Sequence, residues 1–158
     1  MTIPENMTLA WRDWAELSMD ELYEFLAFRQ AIFIVEQASP YPDLDGRDDG
    51  ARHLTLRCDG ELIGYLRLIA PEGEGEIRSP VRLGRVAVAE GARGNGHARL
   101  MVGEALRLAA SLYPGCGIEI GAQTYLEPFY ASFGFVRSTS PYDDFGVPHI
   151  DMVRPAEG

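Results

Sequence analysis

The sequence predicts a mixed α/β (α+β) fold, a sheet of six or seven strands flanked by three main helices. Three observations carry that expectation. Apolar residues alternate with others as Leu54, Leu56 and Cys58, and again as Leu62, Gly64, Leu66 and Leu68, the period of strands with one buried face. Further on, Ala98, Met101, Val102, Ala105, Ala109 and Leu112 recur at helical spacing and draw one apolar stripe. Ser18 to Glu21 and Thr124 to Glu127 are both Ser/Thr-x-x-Glu strings, the signature of a capped helix start.

Taken in order, the first helix is expected from about Met19 to about Glu36, with Leu17 and Leu22 placed as a hydrophobic staple across its cap. A turn-rich loop, Gln37 to Ala51, follows with two prolines, two glycines and four aspartates. Arg52 to Cys58 reads as a strand, Asp59-Gly60 as a hairpin turn, and Leu62 to Leu68 as the returning strand. Pro71 to Pro80 is a polar loop before a third strand, Val81 to Ala89. The striped helix comes next, then a short strand around Ile118 and Ile120. The last helix carries Pro128 in its first turn, where the missing N–H costs little, and ends at Gly134. Phe135 to Arg137 and Pro148 to Arg154 are expected to close the sheet. No internal repeat or linker interrupts this order, so the whole chain, 1–158, is expected to be one domain.

Composition narrows the functions available. The formal net charge is −10, which argues against a broad basic face for nucleic acid. All 14 basic residues are arginine, so chemistry on a lysine side chain is excluded. Cys58 and Cys116 have no metal or redox spacing and are expected to be buried, reduced thiols. No stretch is long and apolar enough for a membrane span, and no signal-peptide pattern opens the chain; the expectation is a cytoplasmic protein. The acidic loop Asp43-Leu44-Asp45-Gly46-Arg47-Asp48-Asp49-Gly50 fails the EF-hand pattern, because Arg47 occupies the third ligand position and no glutamate stands at the twelfth. It is read as solvated charge, able to draw a cationic amine toward a site, and no metal is expected.

Arg93-Gly94-Asn95-Gly96-His97-Ala98 lies between the third strand and the striped helix. A basic, glycine-rich turn at a helix N-terminus gathers unpaired N–H groups at one spot, where the helix dipole also favours an anion. The same string also suits a plain turn before a helix. A P-loop is excluded by the missing Gly-Lys-Ser/Thr.

Strand, Arg-x-x-Gly-x-Ala turn, long helix, strand and then Phe129-Tyr130-Ala131-Ser132-Phe133-Gly134-Phe135: this order resembles the GNAT superfamily of N-acetyltransferases. Phe33-Ile34-Val35-Glu36-Gln37, Pro40-Tyr41, Asp45-Gly46, His53, Gly84-Arg85-Val86, Gly121-Ala122-Gln123 and Gly146-Val147-Pro148-His149-Ile150 resemble the ElaA family within it. The resemblance implies a GNAT-type acyl-CoA N-acyltransferase fold with acetyl-CoA as co-substrate, its pantetheine arm lying between Val81–Ala89 and Gly117–Gly121, which splay apart. It implies that Arg93, Gly94, Asn95, Gly96, His97 and Ala98 hold the pyrophosphate, and that Val86 and Val88 pair with pantetheine through their backbones. Gln123 stands where many relatives carry asparagine and is carried over as a cofactor contact.

The resemblance also points to Tyr130 as general acid. A phenol with a pKa of about 10 is protonated at neutral pH and can serve a leaving thiolate whose thiol has a pKa of about 8.5. A base is also needed, because an amine is mostly protonated at neutral pH. Glu36, near the apolar face of the first helix, and His53, at the start of the first hairpin strand, are the candidates; each also admits a structural role, Glu36 in an ion pair with Arg29. His149 reads as structural. Arg99 is read as a solvated arginine that can reach the nucleotide phosphate. The acceptor is expected to be a small-molecule or peptide amine, and the chain a monomer or homodimer. A module that binds CoA thioesters without turnover is the competing function.

Overall fold

The computed structural model describes residues 2–156, save the Glu76 side chain. Its centre is an eight-stranded sheet in the order β1-β2-β3-β4-β5-β8-β6, with β7 also on β8. The strands are β1 (Met7–Asp13), β2 (Ala51–Cys58), β3 (Glu61–Ile69), β4 (Val81–Val88), β5 (Ile118–Gln123), β6 (Val136–Arg137), β7 (Tyr142–Asp144) and β8 (Val147–Arg154). The sheet therefore exceeds the six or seven strands expected. β1 is one addition: Met7, Leu9 and Trp11 alternate along it and pack against the core. β7 is three residues long and polar, too short to show a period.

The helices are α1 (Met19–Arg29), α2 (His97–Leu112) and α3 (Glu127–Ala131). Ser18 caps α1 as expected, accepting from the Glu21 N–H while Glu21 accepts from the Ser18 N–H. Beyond Arg29 the helix continues to Glu36, but as a wider π-helical segment, Gln30–Glu36. The expected cap at Thr124 does not form. A 3₁₀ turn, Thr124–Leu126, leads into α3 instead, and the Glu127 carboxylate accepts from the Arg137 guanidinium at 2.9 Å.

Core packing follows the periodicities in the sequence. Met101, Val102, Ala105 and Ala109 of α2 are buried against Leu54, Leu56, Leu66, Leu68 and Leu83 of the sheet, whereas Leu112 at the helix end is 40% exposed. Gly64 makes that approach possible: a Cβ there would meet the Met101 sulfur at 2.8 Å. On the opposite face Phe25 of α1 packs with Leu62 and Tyr65. Strand β3 is thus covered on both sides. At the Asp59-Gly60 hairpin turn both residues take the left-handed conformation, φ 50° and 83°, as the tight turn demands.

Two expectations are corrected here. Cys58 and Cys116 are free thiols but only partly buried. The acidic loop is not a solvated face. Arg29, fully buried, donates to Asp43 Oδ2 at 3.0 Å and Asp48 Oδ1 at 2.7 Å, so its partner is not Glu36. Arg67, also buried, donates to Asp48 Oδ1 at 3.1 Å and to both oxygens of Asp45, and Arg85 reaches Asp43 at 2.8 Å. Three aspartates of the loop meet three arginines from α1, β3 and β4. The sequence could not show this, because those arginines come from elements far from the loop in the chain.

Candidate active site

The site opens where the sheet comes apart. Strands β4 and β5 run parallel and pair only at Val81–Ile118 and Arg82–Glu119. Beyond Arg82, β4 has no strand on that side. A bulge lies in the same stretch: Gly84 pairs with Arg67 and Ala87 with Tyr65, leaving Arg85 and Val86 opposite Leu66 alone. Arg85 takes a left-handed conformation at φ 54°, so the bend re-aims the side chains on either side of it.

Two cavities flank the gap. One, of about 380 Å³, is lined by Val86, Val88, Arg93, Gly94, Gly96 and the first turn of α2, with Tyr125 and Phe129 opposite. The other, of about 240 Å³, is walled by Tyr41, Arg82, Arg85, Tyr142, His149 and Asp151. Val86, Gln123, Leu126 and Tyr130 line both.

The larger cavity ends at the α2 N-terminus. Gly94 and Gly96 have φ of 83° and 80°, and open space surrounds both, so the turn needs glycine for its backbone conformation and not for room. Gly96 is the N-cap and offers no side chain. The first helical hydrogen bond runs from the Leu100 N–H to the Gly96 carbonyl at 3.0 Å, so the N–H groups ahead of Leu100 in that turn face outward with no helical acceptor. An elongated ligand with an anionic end fits this arrangement.

Arg93 hangs over the same end, donating through Nε to the Val88 carbonyl at 2.9 Å and through Nη1 to Glu36 at 2.8 Å. Asn95 does not line the cavity; its amide donates to the turn's own Ala92 carbonyl at 3.2 Å. Arg99 lies over the Phe129 and Phe133 rings, 5.3 and 4.9 Å from their centroids, and donates to Ser132 Oγ. It stays exposed, as expected, while lying across those aromatic faces.

Tyr130 stands between the cavities on α3, 6% exposed and edge-on to Phe129 and Phe135. Among the described residues its hydroxyl makes no hydrogen bond. Burial pushes its pKa well above the ordinary phenol value, with the nearby Tyr125 adding to the shift, so the hydroxyl keeps its proton at neutral pH.

Neither expected base faces the smaller, polar cavity. Glu36 lines the larger one and is bound to Arg93. His53 is fully buried and lines neither cavity. Its Nε2 lies 2.8 Å from the Asp48 carbonyl, which can only accept, so Nε2 is the donor; Nδ1 accepts from the Tyr65 hydroxyl at 2.6 Å. Burial, together with Arg29 and Arg67, lowers its pKa despite the opposing pull of Asp48. Both nitrogens are occupied, and His53 is a core residue beneath the ionic network.

No helix among the described residues is long and apolar enough to cross a membrane. The family described as "Acetyltransferase (GNAT) domain" matches residues 23–155. The chain is 37% identical over 150 residues to protein ElaA of Escherichia coli, covering 92% of this chain and 96% of that one. It is 44% identical over 151 residues to a UPF0039 protein of Mycobacterium tuberculosis, covering 93% of each. The crystal structure of Escherichia coli ElaA superposes with a TM-score of 0.85, covering 94% of this chain and 99% of that one at 36% identity. An acyl-CoA N-acyltransferase from Pseudomonas aeruginosa superposes equally well, TM-score 0.85 at 34% identity with the same coverage. Fold and sequence agree across nearly the whole length, and the chain is an acyltransferase of the GNAT superfamily that belongs to its ElaA family.

Proposed function

We propose that the protein moves the acetyl group of acetyl-CoA to a primary amine by direct attack, with Tyr130 as general acid. The observation that carries this reading is the place of Tyr130: its ring buried, its hydroxyl protonated and without a hydrogen bond among the described residues, on the wall common to the two cavities. Acetyl-CoA would supply an acetyl thioester. Its pyrophosphate would be held by the turn Arg93 to Ala98, its pantetheine arm by the unpaired edge of β4 at Val86 and Val88, with Gln123 alongside. Backbone donors on that edge would polarise the thioester carbonyl. The smaller cavity would receive the amine, and the Tyr130 O–H would protonate the departing sulfur.

Two measurements test this. Calorimetry should show acetyl-CoA binding that an Arg93→Ala, Gly96→Asp double variant loses. In a thiol-release assay, Tyr130→Phe should lower turnover by about 100-fold or more, the scale of general acid catalysis, with acetyl-CoA affinity within about twofold. Equal turnover in the two proteins removes Tyr130 from the mechanism. Absence of wild-type binding at millimolar acetyl-CoA removes the acetyltransferase reading altogether.

A further inference from the structure

The amine side of the site still needs a group to accept a proton, and the walls of the smaller cavity supply one. His149 lies on β8, opposite Gln123 of β5 and Tyr142 of β7. Its side chain is 16% exposed, and Nδ1 is 2.8 Å from the Val147 carbonyl. A carbonyl only accepts, so Nδ1 carries the hydrogen and the neutral ring has its lone pair on Nε2. Nε2 has no hydrogen bond among the described residues; it faces the Asp144 carboxylate at 4.0 Å. Tyr142 stacks on the ring, centroids 6.2 Å apart. A carbonyl sets the tautomer, which leaves Nε2 as the open nitrogen with the Asp144 carboxylate 4.0 Å away, and both residues line the cavity. His149 and Tyr130 line the same cavity.

We propose that His149 is the general base of the reaction, taking a proton at Nε2 from the acceptor ammonium directly or through one water. This rests on the acetyl-transfer reading above. The protons balance as follows. The ammonium gives its first proton to Nε2, which releases it to solvent after turnover. The freed lone pair on nitrogen forms the C–N bond, and the C–S bond breaks. Sulfur takes the Tyr130 proton, and the second proton lost from nitrogen returns to the Tyr130 oxygen through solvent. Other charged groups around His149 are Asp151 on β8, which accepts from the Tyr142 hydroxyl at 2.6 Å, and Arg82 and Arg85 across the cavity. Arg82 is paired with Glu119, Arg85 with Asp43 and Asp45, and Arg67, which also lines the cavity, with Asp45 and Asp48, while β5 contributes the uncharged Gly121, Ala122 and Gln123 to this wall.

Two experiments decide the matter. Nitrogen-15 NMR of histidine-labelled protein, with His149→Gln to assign the ring, needs no acceptor. The expected result is a neutral ring protonated at Nδ1, with Nε2 as the nitrogen that takes up the second proton. A ring carrying its hydrogen on Nε2, or one that takes up no second proton, overturns the proposal. The second experiment measures thiol release from acetyl-CoA with spermidine, tyramine and a glycyl dipeptide as probes. His149→Gln should lower kcat by about 100-fold or more and abolish the acid limb of the kcat/KM profile. Thermal midpoint and acetyl-CoA affinity should stay near wild type. His149→Gln within threefold of wild type, with the limb intact, refutes the assignment. Failure of acetyl-CoA to bind at all would instead sink the acetyl-transfer reading, and the NMR result would still decide the state of His149.

Discussion

Asp48→Asn tests the buried ionic network with almost no change of shape. Asp48 Oδ1 accepts from Arg29 Nη1 at 2.7 Å and Arg67 Nη1 at 3.1 Å, and both arginines are at most 4% exposed. Its backbone carbonyl also holds His53. The substitution leaves the three arginines with only Asp43 and Asp45 to compensate them. Removing one partner of a buried pair costs about 3–5 kcal/mol, because an uncompensated charge stays out of water. For a chain of this length that lowers the thermal midpoint by roughly 6–20 °C. The pH dependence gives a second handle. Burial works to raise the Asp48 carboxyl, but the hydrogen bond and charge of Arg29, joined by Arg67, outweigh it and hold the pKa below its ordinary value. A carboxyl depressed in the folded state contributes stability above its unfolded pKa of about 3.9 and loses it as pH falls through the folded value. The deficit of Asp48→Asn should therefore be full at neutral pH and shrink only in acid. Urea titrations of both proteins from pH 7 to pH 3 measure it. A deficit below about 1 kcal/mol at pH 7, the scale of an exposed pair, would show the network to be solvated after all. A deficit that grows toward pH 3 would reverse the sign of the argument.

Two further outcomes follow from particular contacts. Glu36→Gln removes a carboxylate that holds Arg93 beside the α2 N-terminus; calorimetry should show acetyl-CoA binding tightened by about two- to fivefold at low salt, with the gain fading at high salt. Weaker binding would mean that Glu36 positions Arg93 for the ligand. Gly64→Ala places a Cβ 2.8 Å from the Met101 sulfur and 3.2 Å from Leu56 Cβ, and should cost about 1–3 kcal/mol in urea unfolding. A neutral result would show that Met101 swings aside freely.

The sequence by itself determined the elements whose signals are local. The α2 stripe, the Ser18 cap, the Asp59-Gly60 turn and the glycine pair ahead of α2 are consequences of spacing and of backbone conformation within a few residues, so they could be read directly. The family resemblance rested on the same local strings. Tertiary structure alone decided which charges are buried and which polar groups meet. Asp43, Asp45 and Asp48 look like a solvated run in a loop, yet they compensate Arg29, Arg67 and Arg85, brought in from α1, β3 and the bulge in β4. His53 and His149 look alike as lone histidines near strand starts. One is sealed with both nitrogens bonded, and the other faces a cavity with one nitrogen open. The difference lies in hydrogen-bond partners. Val147, two residues from His149, was within reach of sequence reasoning; the cavity, Tyr130 and Tyr65 belong to other elements. Long-range pairing sets the dielectric and the proton inventory of a side chain, and no one-dimensional spacing encodes either.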